Sequence, residues 1–342
     1  MSALDLIVTI RRRRTRRRVT VIAGALILVL AGVALTLMLG QSFVPPGSVM
    51  RVLAGQDVPG ASFTVGQLRL PRAVMAVLAG LSFGLGGAAF QIMLRNPLAS
   101  PDIIGISRGA SAAAVVAIVV MGLDGPVVSV FAIIAGLGVA MLIYALSWRG
   151  GVAGTRLILV GIGVSAMLDS VIAYVLTRAP SWDLAQALRW LTGSVNGAQL
   201  SQALPMLVSL SLFGGLLISR ARDLESLRLG DDTAAALGTP VATTRMLVIL
   251  SAVGLIATAT AVTGPVAFVA FLSGPIAARI LGPNGSVLIP SALVGAVLVL
   301  GGDYVGQFLL PARFPVGVVT GALGAPYLIW LIMRVNRAGG SL

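Results

Sequence analysis

The chain contains no histidine, no cysteine and no lysine. Direct ligation of haem or a transition metal through imidazole or thiolate is therefore excluded, and no metal site is expected. Without lysine there is no GxxxxGK[ST] phosphate loop, and any ATP-driven work has to come from another subunit. The lack of cysteine is compatible with every redox compartment. Acids are scarce as well, 11 in 342 residues, and only Asp169 and Asp303 fall within apolar runs. Proton-coupled and ion-coupled carriers need ionisable relays inside the membrane, and two carboxylates far apart in sequence offer little for one. Asp303, near the outer end of its run, reads as an acid hydrogen-bonded to neighbouring backbone. No catalytic group and no cofactor are expected.

What is present is hydrocarbon-seeking sequence. Hydrophobic residues make up 57% of the chain, charged residues 10%, and mean hydropathy is +1.01. These values exclude a soluble globule and specify an all-α polytopic membrane protein. A spanning helix needs about 20 mainly apolar residues, which leaves room for about ten transmembrane helices. The periodicity predicts spans at roughly 19–40, 67–94, 103–121, 126–148, 155–177, 201–219, 243–263, 266–281, 286–304 and 315–334. The eighth is the least regular, because Gly264, Pro265, Gly274 and Pro275 interrupt it. The first run is too long for a signal-peptide core and reads as a span. Residues 1–18 then form a basic cytoplasmic N-terminal segment, and 19–335 a single transmembrane domain.

All 24 basic residues are arginine. The block "RRRRTRRR" (Arg11–Arg18) directly precedes the first span, where arginine is retained on the cytoplasmic side during insertion. It lacks the aromatic interleaving of a nucleic-acid surface, so no nucleic-acid partner is expected; contact with anionic membrane lipid is compatible with the same placement. With the N-terminus inside, the outer arginines are only Arg51, Arg69, Arg72, Arg178, Arg189 and Arg313. The others, Arg95 and Arg108 among them, fall on the cytoplasmic side, which supports ten spans with both termini inside.

Three local patterns stand out from this background. In "MLRNPLASPDIIGISRGA" (Met93–Ala110), Pro97 stops helix continuation and Pro101 keeps the chain open. Such polar backbone is tolerable at membrane depth only against water or protein. Gly80, Gly84 and Gly87 share a helix face, the pattern of tight helix packing. The segment 220–245, "RARDLESLRLGDDTAAALGTPVATTR", reads as two short helices. Asp231 or Asp232 is a candidate cap, and Gly238 with Pro240 the terminator. Leu224, Leu227 and Leu229 alternate with charges, which suits a helix on the membrane surface or in a partner's groove; a plain connector is the alternative.

Five stretches then occur in one order along the chain. They are "LRLPRAVMAVLAGLSFGLGGAAFQIMLRNPLASPDIIGISRGASAA" from Leu68, "LGDDTAAALG" (Leu229–Gly238), "GPVAFVAF" (Gly264–Phe271), "LIPSALVGA" (Leu288–Ala296) and "FPVGVVTGALGAPYLIWL" (Phe314–Leu331). With them the chain resembles the FecCD-type permeases, membrane subunits of ATP-binding-cassette importers for iron-siderophores, haem and vitamin B12. The resemblance implies the type II ABC importer permease fold. It also implies two permease subunits, two cytoplasmic ABC ATPase subunits and an extracytoplasmic substrate-binding protein.

Carried onto this sequence, the resemblance makes Asn96 and Leu98 of the "NPLA" turn a cytoplasmic gate. Gly154 and Thr155 of "GGVAGTRL" become its second element. It assigns ATPase coupling to Leu229, Gly230, Asp231, Asp232, Ala236 and Gly238, and binding-protein docking to Arg69 and Arg72 of "RLPR", with Arg313 as a further candidate. Two departures are visible. Relatives carry a basic residue nearer Asp303, where this chain has Gln307, and a Pro-His pair where it reads "FLSGPIAAR" (Phe271–Arg279). Gly274-Pro275 is expected to keep the helix-breaking character of that pair. The stretches "WRGGVAGTRLILVGIGVSAML", "LTGSVNG" and "RLGDDTAAALG" are most similar to second permease subunits of ferric enterobactin importers. That likeness implies a ferric-siderophore substrate, a heterodimer and the bacterial cytoplasmic membrane. Vitamin B12 or haem is the alternative within the resemblance, and an ion-coupled secondary transporter the alternative outside it.

Overall fold

The computed structural model describes residues 3–101, 105–147, 154–282 and 285–337. Helix α1 (Ala3–Met38) contains the basic block, so residues 3–18 are helical and continuous with the helix of the first span. Arginine is a good helix former, and nothing in the block breaks the helix. Arg17 Nη2 donates to the Ile280 carbonyl at 3.2 Å. The surface helix α2 (Pro46–Leu53) follows, and then a wide π-helical turn (Ser62–Arg69) that leads into α3 (Leu70–Leu94). Helices α4 (Ile106–Val119), α5 (Gly125–Ser147), α6 (Gly154–Thr177) and α7 (Ser181–Leu191) come next.

The sixth crossing, Leu200–Ser219, is segmented into α8 (Ala203–Ser209), a π turn (Leu210–Gly214) and α9 (Gly215–Ser219). Two short helices, α10 (Ala221–Leu227) and α11 (Asp231–Ala236), lie in the expected polar segment. The chain ends with α12 (Val241–Thr263), α13 (Val269–Leu281), α14 (Leu288–Tyr304, prolonged by a π turn to Leu309) and α15 (Val316–Arg337). Among the described residues seven helical stretches are long and apolar enough to cross a membrane. With the shorter apolar helices Ile106–Val119, Val269–Leu281 and Val316–Leu331 they account for the ten expected spans.

Helix α3 is the centre of the bundle, buried along most of its length and packed against α1, α12, α13 and α14. Its glycines explain how. A Cβ on Gly84 would run into the Ser291 carbonyl, and one on Gly295 into that of Gly80, so α3 and α14 cross backbone to backbone. Gly87 makes the same close approach to Ala270 of α13. Lipid tails are as apolar as leucine, so helices associate in a bilayer chiefly by such contact.

The expected break at Gly274-Pro275 does not occur; α13 runs through Pro275. The interruption is at Gly264–Phe268, between α12 and α13, where Gly264 and the non-glycine Phe268 both adopt positive φ, 69° and 64°.

Candidate functional site

At the C-terminal end of α3, Arg95 takes a left-handed conformation (φ 54°) and turns the chain out of the helix. Asn96 then organises the turn: its Oδ1 accepts from the Leu98 amide at 2.8 Å and its carbonyl from the Ala99 amide at 3.1 Å. An asparagine side chain that mimics a backbone acceptor in this way is a standard means of fixing a turn. Gln91, buried in α3, donates from Nε2 to the carbonyls of Pro97 (3.0 Å) and Phe271 (2.9 Å), tying the turn to α13. Sequence reasoning missed Gln91; the one available signal was a lone amide in the apolar run "GGAAFQIML".

Leu98 lines a cavity of about 580 Å³ together with Leu191, Phe268 and Phe271. Asn96 is brought instead to a second inner cavity of about 310 Å³, beside Gln91, Arg228 and Pro275. Gly154 and Thr155 open α6, and their side chains, like residues 148–153, lie outside the described residues.

The polar segment forms its two helices with one change in capping. Gly230 (φ 105°) is the residue before α11, and neither aspartate caps the helix with its side chain. Asp231 Oδ1 instead meets Arg245 at 2.9 Å and Arg95 at 3.5 Å, since the glycine frees the carboxylate to reach across to α12 and to the turn after α3. Asp232 also lies in the first turn of α11, where an acid complements the helix dipole. Gly238 (φ 84°) ends the helix, with its own amide on Ala235 O and that of Thr239 on Ala234 O, both at 2.9 Å. A left-handed residue at this place is the usual helix stop. Leu224 and Leu227 are buried and anchor α10; Leu229 and Leu237 project, more than 60% exposed. Ala236 is the last residue of α11.

At the N-terminal end of α3 the arginines divide. Arg69 is buried and donates to the carbonyls of Leu37, Met38 (both 3.0 Å) and Ser42 (2.7 Å). It thereby closes the C-terminus of α1, where carbonyls lack intrahelical donors and a cation is favoured. Arg72 holds Asp303 of α14 through Nε and Nη2, each at 2.6 Å. The partner of Asp303 is thus a guanidinium, not the backbone expected from sequence. Arg69 and Arg72 are therefore engaged inside the chain, whereas Arg313 is exposed on an outer cavity of about 740 Å³ that it lines with Arg189, Trp190, Asn196 and Gln307.

The 740 Å³ and 580 Å³ cavities share the Gly264–Phe268 interruption: Gly264 lines the first and Pro265 the second. Residues 26–334 match the FecCD transport family. The chain belongs to that family. It is 40% identical over 293 residues to the ferric enterobactin transport system permease protein FepG of Escherichia coli K12, covering 84% of this chain and 88% of FepG. It is 32% identical over 327 residues to FepD, a permease protein of the same ferric enterobactin transport system, covering 94% of this chain and 96% of FepD. Among solved structures, a chain of an inward-facing metal-chelate type ABC transporter superposes with a TM-score of 0.80 at 26% identity, covering 92% of this chain and 99% of that one. The fold is that of a type II ABC importer permease, in a multi-pass membrane protein.

Proposed function

We propose that this chain is a permease subunit of an ATP-driven importer that moves a ferric-siderophore chelate across the bacterial cytoplasmic membrane, with both termini on the cytoplasmic side. The observation that carries the reading is a bonded route from the surface helices to the inner turn. Asp231 at the start of α11 pairs with Arg95, Arg95 adjoins Asn96 of the turn, and Gln91 ties that turn to α13. Two cytoplasmic ATPase subunits closing on ATP would push α10 and α11, and the route delivers that displacement to Leu98 at the inner mouth. Small rigid-body motions are amplified into opening where packed elements have two discrete arrangements.

An extracytoplasmic binding protein delivers the chelate at the outer cavity, with Arg313 as the docking cation. A charge at a wet interface orients a partner more than it tightens binding. FepG and FepD are two different permeases of one transport system, and similarity to both supports a heterodimer with a second permease subunit. The bias of arginine toward one side of the membrane supports the orientation.

The reading is tested by reconstituting the chain with its second permease, ATPase and binding protein in proteoliposomes and following uptake of iron-55 bound to a siderophore. Uptake should require ATP inside the cytoplasmic compartment and stop without the binding protein. Uptake that continues without ATP and collapses with an ionophore overturns it.

A further inference from the structure

One charged pair between α4 and α6 is only half-buried. Arg108 is the third residue of α4, and its Nη1 meets Oδ1 of Asp169, far along α6, at 3.0 Å. The sequence reading assigned Arg108 to the cytoplasmic side, yet Asp169 stands fifteen residues beyond the start of α6, about 22 Å along that helix at 1.5 Å per residue. Arg108 is also the sole exposed residue of Ile106–Val119. The two side chains are 52% and 47% exposed, against 15% and 5% for Arg72 and Asp303. Charges at membrane depth that are not sealed in the bundle face a partner subunit or a water-filled path, since lipid would make them costly.

The surroundings choose the path. Arg108 lines the 580 Å³ cavity that has Leu98 in its wall. Residues from the first turns of two helices, α4 (Ser107, Arg108) and α13 (Phe271, next to the preceding Phe268), line it too. A cation in the first turn of α4 opposes that helix's own dipole, so packing stability alone does not account for its place. In an otherwise apolar wall, Arg108 and two helix N-termini favour an anion, with the Arg108 charge offset by Asp169.

We infer that Arg108, held by Asp169, is a contact for an anionic ferric chelate on its way through the permease and favours chelates that carry negative charge. Iron(III) bound by three catecholates has six phenolate oxygens and a net charge of −3; iron(III) bound by three hydroxamates is neutral. The paired carboxylate keeps the guanidinium from trapping its cargo, because the chelate has to compete with Asp169 for the same donors. The inference deepens the proposed function and rests on it.

The test uses the complete importer in proteoliposomes with iron-55 tris-catecholate. Arg108→Gln should lower the uptake rate about tenfold and raise the ATP consumed per iron imported, while the assembled complex elutes at its normal size. Arg108→Lys should recover part of the rate. Arg108→Gln combined with Asp169→Asn, a neutral pair that can still hydrogen-bond, should remain as slow as Arg108→Gln alone. Wild-type uptake by Arg108→Gln overturns the inference. Full recovery in the double variant overturns it too, by showing that only the pairing matters, and so does dissociation of the permease pair, which would make this a subunit contact. A wild-type importer that moves no ferric chelate at all would instead bring down the proposed function on which the inference stands.

Discussion

The side chain of Gln91 donates a 2.9 Å hydrogen bond to the carbonyl of Phe271, the one carbonyl in α13 that Pro275 leaves without an intrahelical donor. Proline has no N–H, so residue i−4 loses its partner and the helix ordinarily kinks there. Here an amide from the neighbouring helix replaces the missing donor, and the same amide holds Pro97 of the inner turn. Gly274 makes room for it, since a Cβ at that place would strike Gln91 Oε1.

Removing the amide should therefore cost both stability and closure. Gln91→Leu leaves the buried Phe271 carbonyl unsatisfied, at about 1–3 kcal/mol, frees the part-buried Pro97 carbonyl from its tie, and should lower the melting temperature of the detergent-solubilised complex and raise passive leak. Adding Pro275→Ala returns an N–H to Phe271 and should restore part of the melting temperature but not the leak. Equal melting temperatures for Gln91→Leu and wild type would remove this role.

Leu98 closes the inner mouth in the proposed mechanism. Shortening it with Leu98→Ala should increase ATP-independent release of chelate from loaded proteoliposomes several-fold, whereas ATP-driven uptake becomes less tightly coupled. An unchanged leak rate in an intact complex counts against the gate.

The Arg72–Asp303 pair is largely buried and bidentate, and breaking such a pair strands a charge, at about 3–5 kcal/mol. Asp303→Ala should destabilise the complex by an amount of that order, seen as a clear fall in thermal stability by size-exclusion recovery after heating. Arg72→Met with Asp303→Leu should recover most of it, because two apolar side chains need no partner. If the double variant is as unstable as Asp303→Ala, the stranded charge is not the cause.

Coupling through α11 predicts a different pattern. Ala236→Pro places a ring against the last turn of the helix and should leave the spans inserted and the ATPase active while uptake falls at least tenfold. Normal uptake at the normal ratio of ATP to iron would show that α11 does not transmit the stroke.

Docking at the outer face is expected to depend on Arg313 and on salt. Arg313→Glu should weaken capture of the loaded binding protein, and the difference from wild type should shrink as ionic strength rises, since exposed charges are screened within about 8–10 Å. Identical affinities at low salt would remove Arg313 from the interface.

Hydropathy and turn chemistry are local properties: the first made the ten spans legible from the order of residues alone, the second the two short helices at 221–236 and the stop at Gly238. Each is decided by a window no longer than one membrane crossing. The small-residue face of Gly80, Gly84 and Gly87 announced close packing in the same way, although not that α14 and α13 would be the neighbours.

What the residue order left open depends on pairings far apart in the chain. Gly274-Pro275 looks like a helix break in its own window, and it is the distant amide of Gln91 that keeps α13 continuous. The acceptors that Arg69 and Arg72 meet are not visible locally: Leu37, Met38 and Ser42 for the first, and Asp303, 231 positions away, for the second. Arg108 counts as a cytoplasmic charge by position and becomes a path-lining one only because α6 brings Asp169 to it at membrane depth. Sequence determined which segments leave water, because that follows from composition over about 20 residues. Only the tertiary structure decided which polar groups inside the bundle satisfy one another, because a buried donor is indifferent to how far along the chain its acceptor lies.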